Sequence, residues 1–220
     1  MNYDNKYALT KEQNINLAKS NLVNLVYTTS KLENLTVSFS NTKDIVEGRE
    51  VIDIPKDDIN TISDLKAAWV FAINHNSLLT LETIQEINKI VSLRDSLAPG
   101  NIRDGNSSVL LPNHQLHEPP IPDRGEEKEY LSSILEANKS TTEKALSLMY
   151  HIMRSQLFWD GNKRTATIAA NNIMLNNGAG IINIPLNKWD EWNNLLSDFY
   201  LTNNIEKIKR WTYFNAINGY

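Results

Sequence analysis

The chain has 220 residues, 41% hydrophobic and 22% charged, with a net charge of −4, four histidines and no cysteine. That length supports one sizeable core. The acidic balance argues against a nucleic-acid binder, no run approaches the ~20 apolar residues of a membrane span, and without cysteine there is no disulfide framework or thiol chemistry.

The first residues lack a basic stretch followed by an apolar one, so no signal peptide is expected and a cytoplasmic location is the default. Zinc spacing is absent among the histidines. The pattern that follows is helical almost throughout. Thr10 with Gln13 three residues on forms a capping box. Ile15, Leu22, Leu25, Val26 and Thr29 then share one face. A short helix is predicted near 41–47, closed by Gly48. Leu65, Trp69, Ala72 and Ile73 mark a helix over 58–75, and Thr80 caps a run carrying Ile84, Ile87, Ile90 and Val91. Pro99-Gly100 breaks the chain.

Residues 101–112 differ. Asp104-Gly105 is a tight-turn signal and Val109-Leu110-Leu111 has strand character, which predicts a small β-hairpin. Residues 112–125 read as a proline-rich loop. Helices resume over 126–138 and from Thr141 or Thr142 to Leu157. Another spans 164–177 and ends at Gly178. Two more carry Trp189, Trp192, Leu196 and Phe199, then Ile205, Ile208, Trp211 and Phe214. The tryptophans sit at helical spacing among aliphatics, which reads as core packing. The fold class is all-α, a helical bundle with one small β-hairpin, in a single domain over 1–220.

The chemistry concentrates in Gln156–Ala166. A helix end, a tight loop and a helix start lie in succession there. Backbone N–H groups at a helix start are unpaired and the helix dipole favours an anion, so the segment suits a nucleotide phosphate. Asp160 is the candidate Mg²⁺ ligand, because Mg²⁺ prefers one or two carboxylates plus phosphate oxygens. Gly161 permits the sharp turn. Phe158 points inward as an anchor. Asn162 and Arg164 would hold phosphate oxygens, and Lys163 adds a second cation.

Phe158, Asp160, Gly161, Asn162, Lys163 and Arg164 resemble the Fic/Doc (Fido) signature HxFxDGN(G/K)R. The resemblance implies a Fic-type bundle that binds ATP or another nucleoside triphosphate with Mg²⁺, and transfers AMP to a hydroxyl of a target protein. Gln156 stands where the family has its catalytic histidine. An amide has no titratable lone pair near pH 7, so transfer is expected to be impaired; the alternative is an inactive relative that binds nucleotide or protein as a regulator. Of the histidines, His151 lies about 140° around the helix from Gln156 and reads as an ordinary helix residue. His114 and His117 belong to a loop that either folds over the site or faces solvent, and His75 ends a helix.

Two further segments resemble the family. Thr29, Glu33 and Asn34 fit the (S/T)xxxE(G/N) motif of a helix that inserts a glutamate into the nucleotide site, which makes 1–57 a regulatory segment beside a core of 58–220. A plain helix C-terminus with Asn34 left-handed explains the same residues. The segment around Ile102, Arg103 and Val109 resembles the flap that docks a target peptide by strand addition. One departure matters for regulation: the second arginine of the family pattern is Thr167 here, so Glu33 would have to pair with Lys163 or Arg164. The expected partners are nucleotide and a protein target, without nucleic acid or membrane, and the oligomeric state stays open.

Overall fold

In the computed structural model, which describes residues 2–111 and 114–220, the capping box forms as the sequence predicts. The Gln13 N–H donates to Thr10 Oγ1 at 3.1 Å, and the Gln13 side chain accepts from the Thr10 N–H at 2.8 Å. Helix α1 (Lys11–Ser20) follows. The single face expected from Ile15 to Thr29 is divided at Asn21. Its side-chain amide donates to the Leu17 carbonyl at 2.8 Å, and its backbone leaves helical geometry before α2 (Leu22–Ser30). Short polar side chains compete with the helical ladder in this way. One 3₁₀ turn, Lys31–Glu33, ends on Asn34, which is left-handed at φ 58°.

Helix α3 (Phe39–Val46) starts earlier than expected because Ser38 caps it, and Gly48 closes it at φ 76°. Helix α4 (Lys56–Asn74) buries Leu65, Trp69, Ala72 and Ile73. Helix α5 (Leu81–Val91) starts from the Thr80 cap.

The hairpin exists but is displaced. Strand β1 (Val109–Leu110) pairs antiparallel with β2 (Leu116–His117), Val109 opposite His117 and Leu110 opposite Leu116. Asp104-Gly105 is therefore not its turn. A two-residue hairpin turn of that sequence needs positive φ, which neither Asp104 nor Gly105 adopts. The start of the expected proline-rich loop, Pro112 and Asn113, lies outside the described residues.

Then come α6 (Arg124–Glu136), α7 (Thr141–Ser155), α8 (Asn162–Asn176) and α9 (Trp189–Thr202). Strand β3 (Ile181–Ile182) lies between α8 and α9, and α10 (Glu206–Asn215) and β4 (Ile217–Asn218) end the chain. The antiparallel pair β3–β4 was not anticipated; two residues are too few for a period-2 pattern.

Helix α8 is the hub. It packs against α7 along its length and also meets α1, α2, α4 and α5. Ala166, Ala169 and Ala170 are wholly buried and let neighbouring backbones approach. Its buried amides are satisfied. Asn171 donates to Ile182 O at 2.9 Å and accepts from Ile182 N at 2.8 Å, while Asn172 donates to Ala72 O at 2.9 Å.

The N-terminal segment seals the far end of α8, where Leu9 N–H donates to Gly178 O at 2.8 Å. Gly178 has φ 68°, and a Cβ there would lie 1.9 Å from Leu9 O. Gly178→Ala should therefore lower stability by about 2 kcal/mol or more in urea unfolding, through combined strain and clash. An unchanged midpoint would show that the N-terminal segment is not docked as seen.

Candidate functional site

The site is built where α7 hands over to α8. Gln156 ends α7 in the left-handed region, φ 48°, which turns the chain out of the helix. Phe158 is wholly buried under the loop. Asn162 braces the loop across its width: its Nδ2 donates to Phe158 O at 2.8 Å and its Oδ1 accepts from Phe158 N at 2.8 Å. Its side chain thus shapes the loop rather than reaching for a phosphate. Gly161 takes φ 71°, and a Cβ there would press on Val91, Ser92 and Asn88 at 3.1–3.3 Å.

Asn88 was missed by the sequence reading. Buried on α5, it donates to Asp160 O at 2.8 Å and Thr165 Oγ1 at 3.1 Å, and its Oδ1 accepts from Gly100 N at 2.9 Å. The signal was present: Asn88 lies four residues after Ile84 and three before Val91, so a polar group occupies the apolar face. The first intrahelical bond of α8 is Thr165 N to Gly161 O at 2.8 Å. The N–H groups of Asn162, Lys163 and Arg164 precede it and have no helical acceptor.

Above this helix start lies a cleft of about 400 Å³. Its walls bring together Glu33 and Asn34 from the 3₁₀ turn, the flap run 107–111, Gln156, and Trp159 to Lys163. Residues as far apart in sequence as Glu33 and Tyr200 thus meet, and among them are Val109, Gln156, Asp160, Gly161, Asn162 and Lys163 from the sequence reading. Helix α9 supplies Leu196, which that reading had placed in its helix, and Asn193, Ser197 and Tyr200, which it had not singled out. Their spacing of three, four and seven puts them on one helical face, beside the tryptophan stripe that was read as core.

Arg164 is not part of the wall. Its guanidinium is wholly buried and held by Val91 O at 2.7 Å, Asp95 Oδ2 at 3.3 Å, Asp160 Oδ1 at 3.2 Å and Glu33 Oε1 at 2.7 Å from Nε. The Glu33 contact is an ion pair off the N–H axis, since Arg164 Nε has no aligned acceptor. Of the two partners the sequence left open for Glu33, Arg164 is the one in contact. An anion can reach this guanidinium only by replacing a carboxylate. Thr167 instead donates to Lys163 O at 2.9 Å. Thr29 lies deeper, where it accepts from Trp69 Nε1 at 3.1 Å and ties α2 to α4.

Burial raises the Glu33 pKa above its ordinary 4.5, and the attraction of Arg164 and Lys163 only partly offsets this. An acid with a raised folded pKa contributes stability that is complete below 4.5 and lost as pH rises through the folded value. Glu33→Gln should therefore raise the melting temperature at pH 7–8, with the gain shrinking as pH falls towards 4.5. A gain that grows in acid would contradict the sign. Desolvation also lowers the Lys163 pKa, with Glu33 opposing, so this lysine is a cation short of solvation at the cleft wall.

Gln156 is fixed by its neighbours: Nε2 donates to Met153 O at 2.6 Å, and Oε1 accepts from Asn162 Nδ2 at 3.2 Å. Tyr200 is buried beside it. Its hydroxyl makes no aligned hydrogen bond, though it lies close enough to Gln156 to feel the amide, and burial pushes its pKa up. No histidine lines the cleft among the described residues. His117, expected in a loop, is buried; it bonds Arg154 O at 2.8 Å and packs on Tyr200 with ring centroids 5.0 Å apart. His151 bonds Glu127 Oε2 at 2.6 Å.

The flap assignment needs correction. Of Ile102, Arg103 and Val109, only Val109 belongs to the hairpin. Ile102 bridges Phe158, and Arg103 N–H donates to Leu157 O at 3.0 Å, so this stretch anchors the loop from below. The Arg103 side chain is 1% exposed and donates to Gln156 O at 2.9 Å, Pro120 O at 2.7 Å, Ser155 O at 3.3 Å and Gly105 O. Its donors face carbonyls within the chain, not a docked peptide. Among the described residues no three acidic or histidine side chains form a metal cluster. The Asp160 side chain is 41% exposed, with only Oδ1 engaged.

Residues 78–174 match the model described as the Fic/DOC family. A comparison with curated proteins finds no match. Among solved structures, a Fic domain containing signaling protein from Bacteroides thetaiotaomicron superposes with a TM-score of 0.76 at 18% identity, covering 94% of this chain and 85% of the other. Fic-1 (residues 134–508) from C. elegans gives 0.73 at 19% identity over 91% of this chain, and a Fic family protein from Desulfovibrio desulfuricans gives 0.76 at 15% over 92%. The present chain spans 62% and 65% of those two chains.

Proposed function

Through residues 78–174 the chain belongs to the Fic/DOC family, whose members often transfer a nucleotide to proteins, and from that premise we propose that its cleft binds a nucleoside triphosphate, ATP by resemblance, with Mg²⁺. The reaction by resemblance is transfer of AMP to a protein hydroxyl, slowed by Gln156. The observation that carries this reading is the cleft itself: the first residues of α8, Asn162 and Lys163, and Gln156 at the end of α7 meet in one hollow of about 400 Å³.

The residues fit the roles chemically. The α8 N–H groups and Lys163 would hold phosphate oxygens. Mg²⁺ would neutralise phosphate charge, and Asp160, exposed with one oxygen free, is the carboxylate suited to hold it beside those oxygens. In nucleotidyl transfer the target oxygen attacks the α-phosphorus, pyrophosphate leaves, and the hydroxyl proton must depart. Gln156 can orient that hydroxyl but cannot take its proton. The target would approach across the flap at Val109, the one flap residue from the sequence reading that lines the cleft.

A second reading is a nucleotide-binding regulator without catalysis. It is favoured by Gln156 and by Glu33, an acid on the cleft wall that shares it with Lys163. Both readings require nucleotide binding. Calorimetry with MgATP should show a single site, weakened about tenfold by Lys163→Ala, the loss of one charge-assisted contact. Equal affinity in the variant would sink the placement of the phosphates.

A further inference from the structure

Pro119-Pro120 wall a second hollow, of about 370 Å³, that shares no lining residue with the cleft. Its floor is the last turn of α7, with Arg154 and Ser155; Tyr130 of α6 and Phe199 of α9 form aromatic walls. Two groups here have unmet polar capacity. The Ser155 hydroxyl is buried and has no hydrogen-bond partner. Ser147 and Ser197 bond the carbonyl four residues back, Glu143 O and Asn193 O; Ser155 does not.

The Arg154 guanidinium is half-buried over the Phe199 ring, 5.9 Å from its centroid. It makes one long bond, Nε to Phe199 O at 3.4 Å, and no carboxylate pairs with it among the described residues. Desolvation accordingly lowers its pKa. His151 also lines the hollow, and its Nε2 is engaged by Glu127 Oε2 at 2.6 Å. A desolvated guanidinium without a counter-charge, next to an unpartnered hydroxyl and between aromatic faces, is chemistry that an anion completes.

We propose that this hollow is a second ligand site, for a small anion (a carboxylate or a phosphate group) carried on a flat apolar body. The anion meets the free guanidinium nitrogens of Arg154 and the Ser155 hydroxyl. The flat body packs between Tyr130, Phe199 and the proline wall. The site is separate from the nucleotide cleft: Ser155 lines one, and the next residue, Gln156, lines the other.

Benzoate and phenyl phosphate, each titrated against the ¹⁵N-labelled full chain saturated with MgATP, test this, with benzamide as the neutral probe. The expected result is a saturable shift at the Tyr130 and Ser155 amides for at least one anion. Benzamide should bind about tenfold more weakly, and Arg154→Gln should weaken the anion about tenfold while leaving the rest of the spectrum native. The tighter anion identifies the head group as carboxylate or phosphate. Absence of saturable shifts for both anions, equal binding of benzamide, indifference to Arg154→Gln, or shifts confined to residues 162–164 would each overturn the proposal. If the native spectrum is lost in Arg154→Gln, Ser155→Ala serves in its place, with a weaker but measurable loss expected and no loss counting against the site.

Discussion

Replacing Gln156 by histidine is expected to raise the rate of protein labelling from α-labelled MgATP by about 10²–10⁴-fold over the native chain, the usual contribution of a positioned general base. Gln156 lines the cleft next to the start of α8, and its backbone is left-handed at φ 48°. Histidine is among the residues that tolerate this conformation, so the exchange should leave the fold intact. The imidazole would replace an amide that bonds only Met153 O and Asn162 Nδ2. Labelling only after the exchange would place the native chain with the regulators; measurable labelling by the native chain would place it with slow enzymes. No labelling by either, with MgATP bound, would show that Gln156 is not the limiting defect.

Arg164→Met is expected to cost about 3–5 kcal/mol at pH 7, the scale for breaking a buried ion pair from one side. The guanidinium is wholly buried among Glu33, Asp95 and Asp160, and also bonds Val91 O. Methionine fills part of the volume but leaves three carboxylates facing one another. The deficit should shrink in mildly acidic urea titrations as Glu33, whose pKa burial already raises, takes up its proton. Adding Glu33→Gln should recover part of it, because the two sites share a contact and are not additive. A loss below 1 kcal/mol at pH 7 would mean the cluster is solvated, and with it the reading of Arg164 as a structural cation rather than an open phosphate ligand would fall.

The sequence made visible what local chemistry writes locally. Thr10 and Thr80 announce helix starts because a cap needs only a hydroxyl and a nearby N–H. Phe158, Gly161 and Lys163 stand where the motif predicted a loop and a helix start, since the whole handover takes six residues. What was illegible depends on distant partners. Asn88 braces a loop 72 residues away, and Glu33 meets Arg164 across 131 positions; nothing in either neighbourhood names its partner. Arg103 looked like a docking residue because it stands in the segment that resembles the family's flap, yet four carbonyls around it make burial tolerable. The flap moved because Asp104-Gly105, a good turn signal, bends the chain under Trp159 without reversing it.

The central claim is that the start of α8 holds the phosphates of a nucleotide. Titrating the native, ¹⁵N-labelled chain with MgATP and following the backbone amides of Asn162, Lys163 and Arg164 tests it most directly. The account predicts large, saturable shifts at these three amides, with an accompanying change at Glu33 as the anion competes for its cations. Saturable binding that leaves all three amides in place, or no binding even in the Glu33→Gln chain, would contradict it.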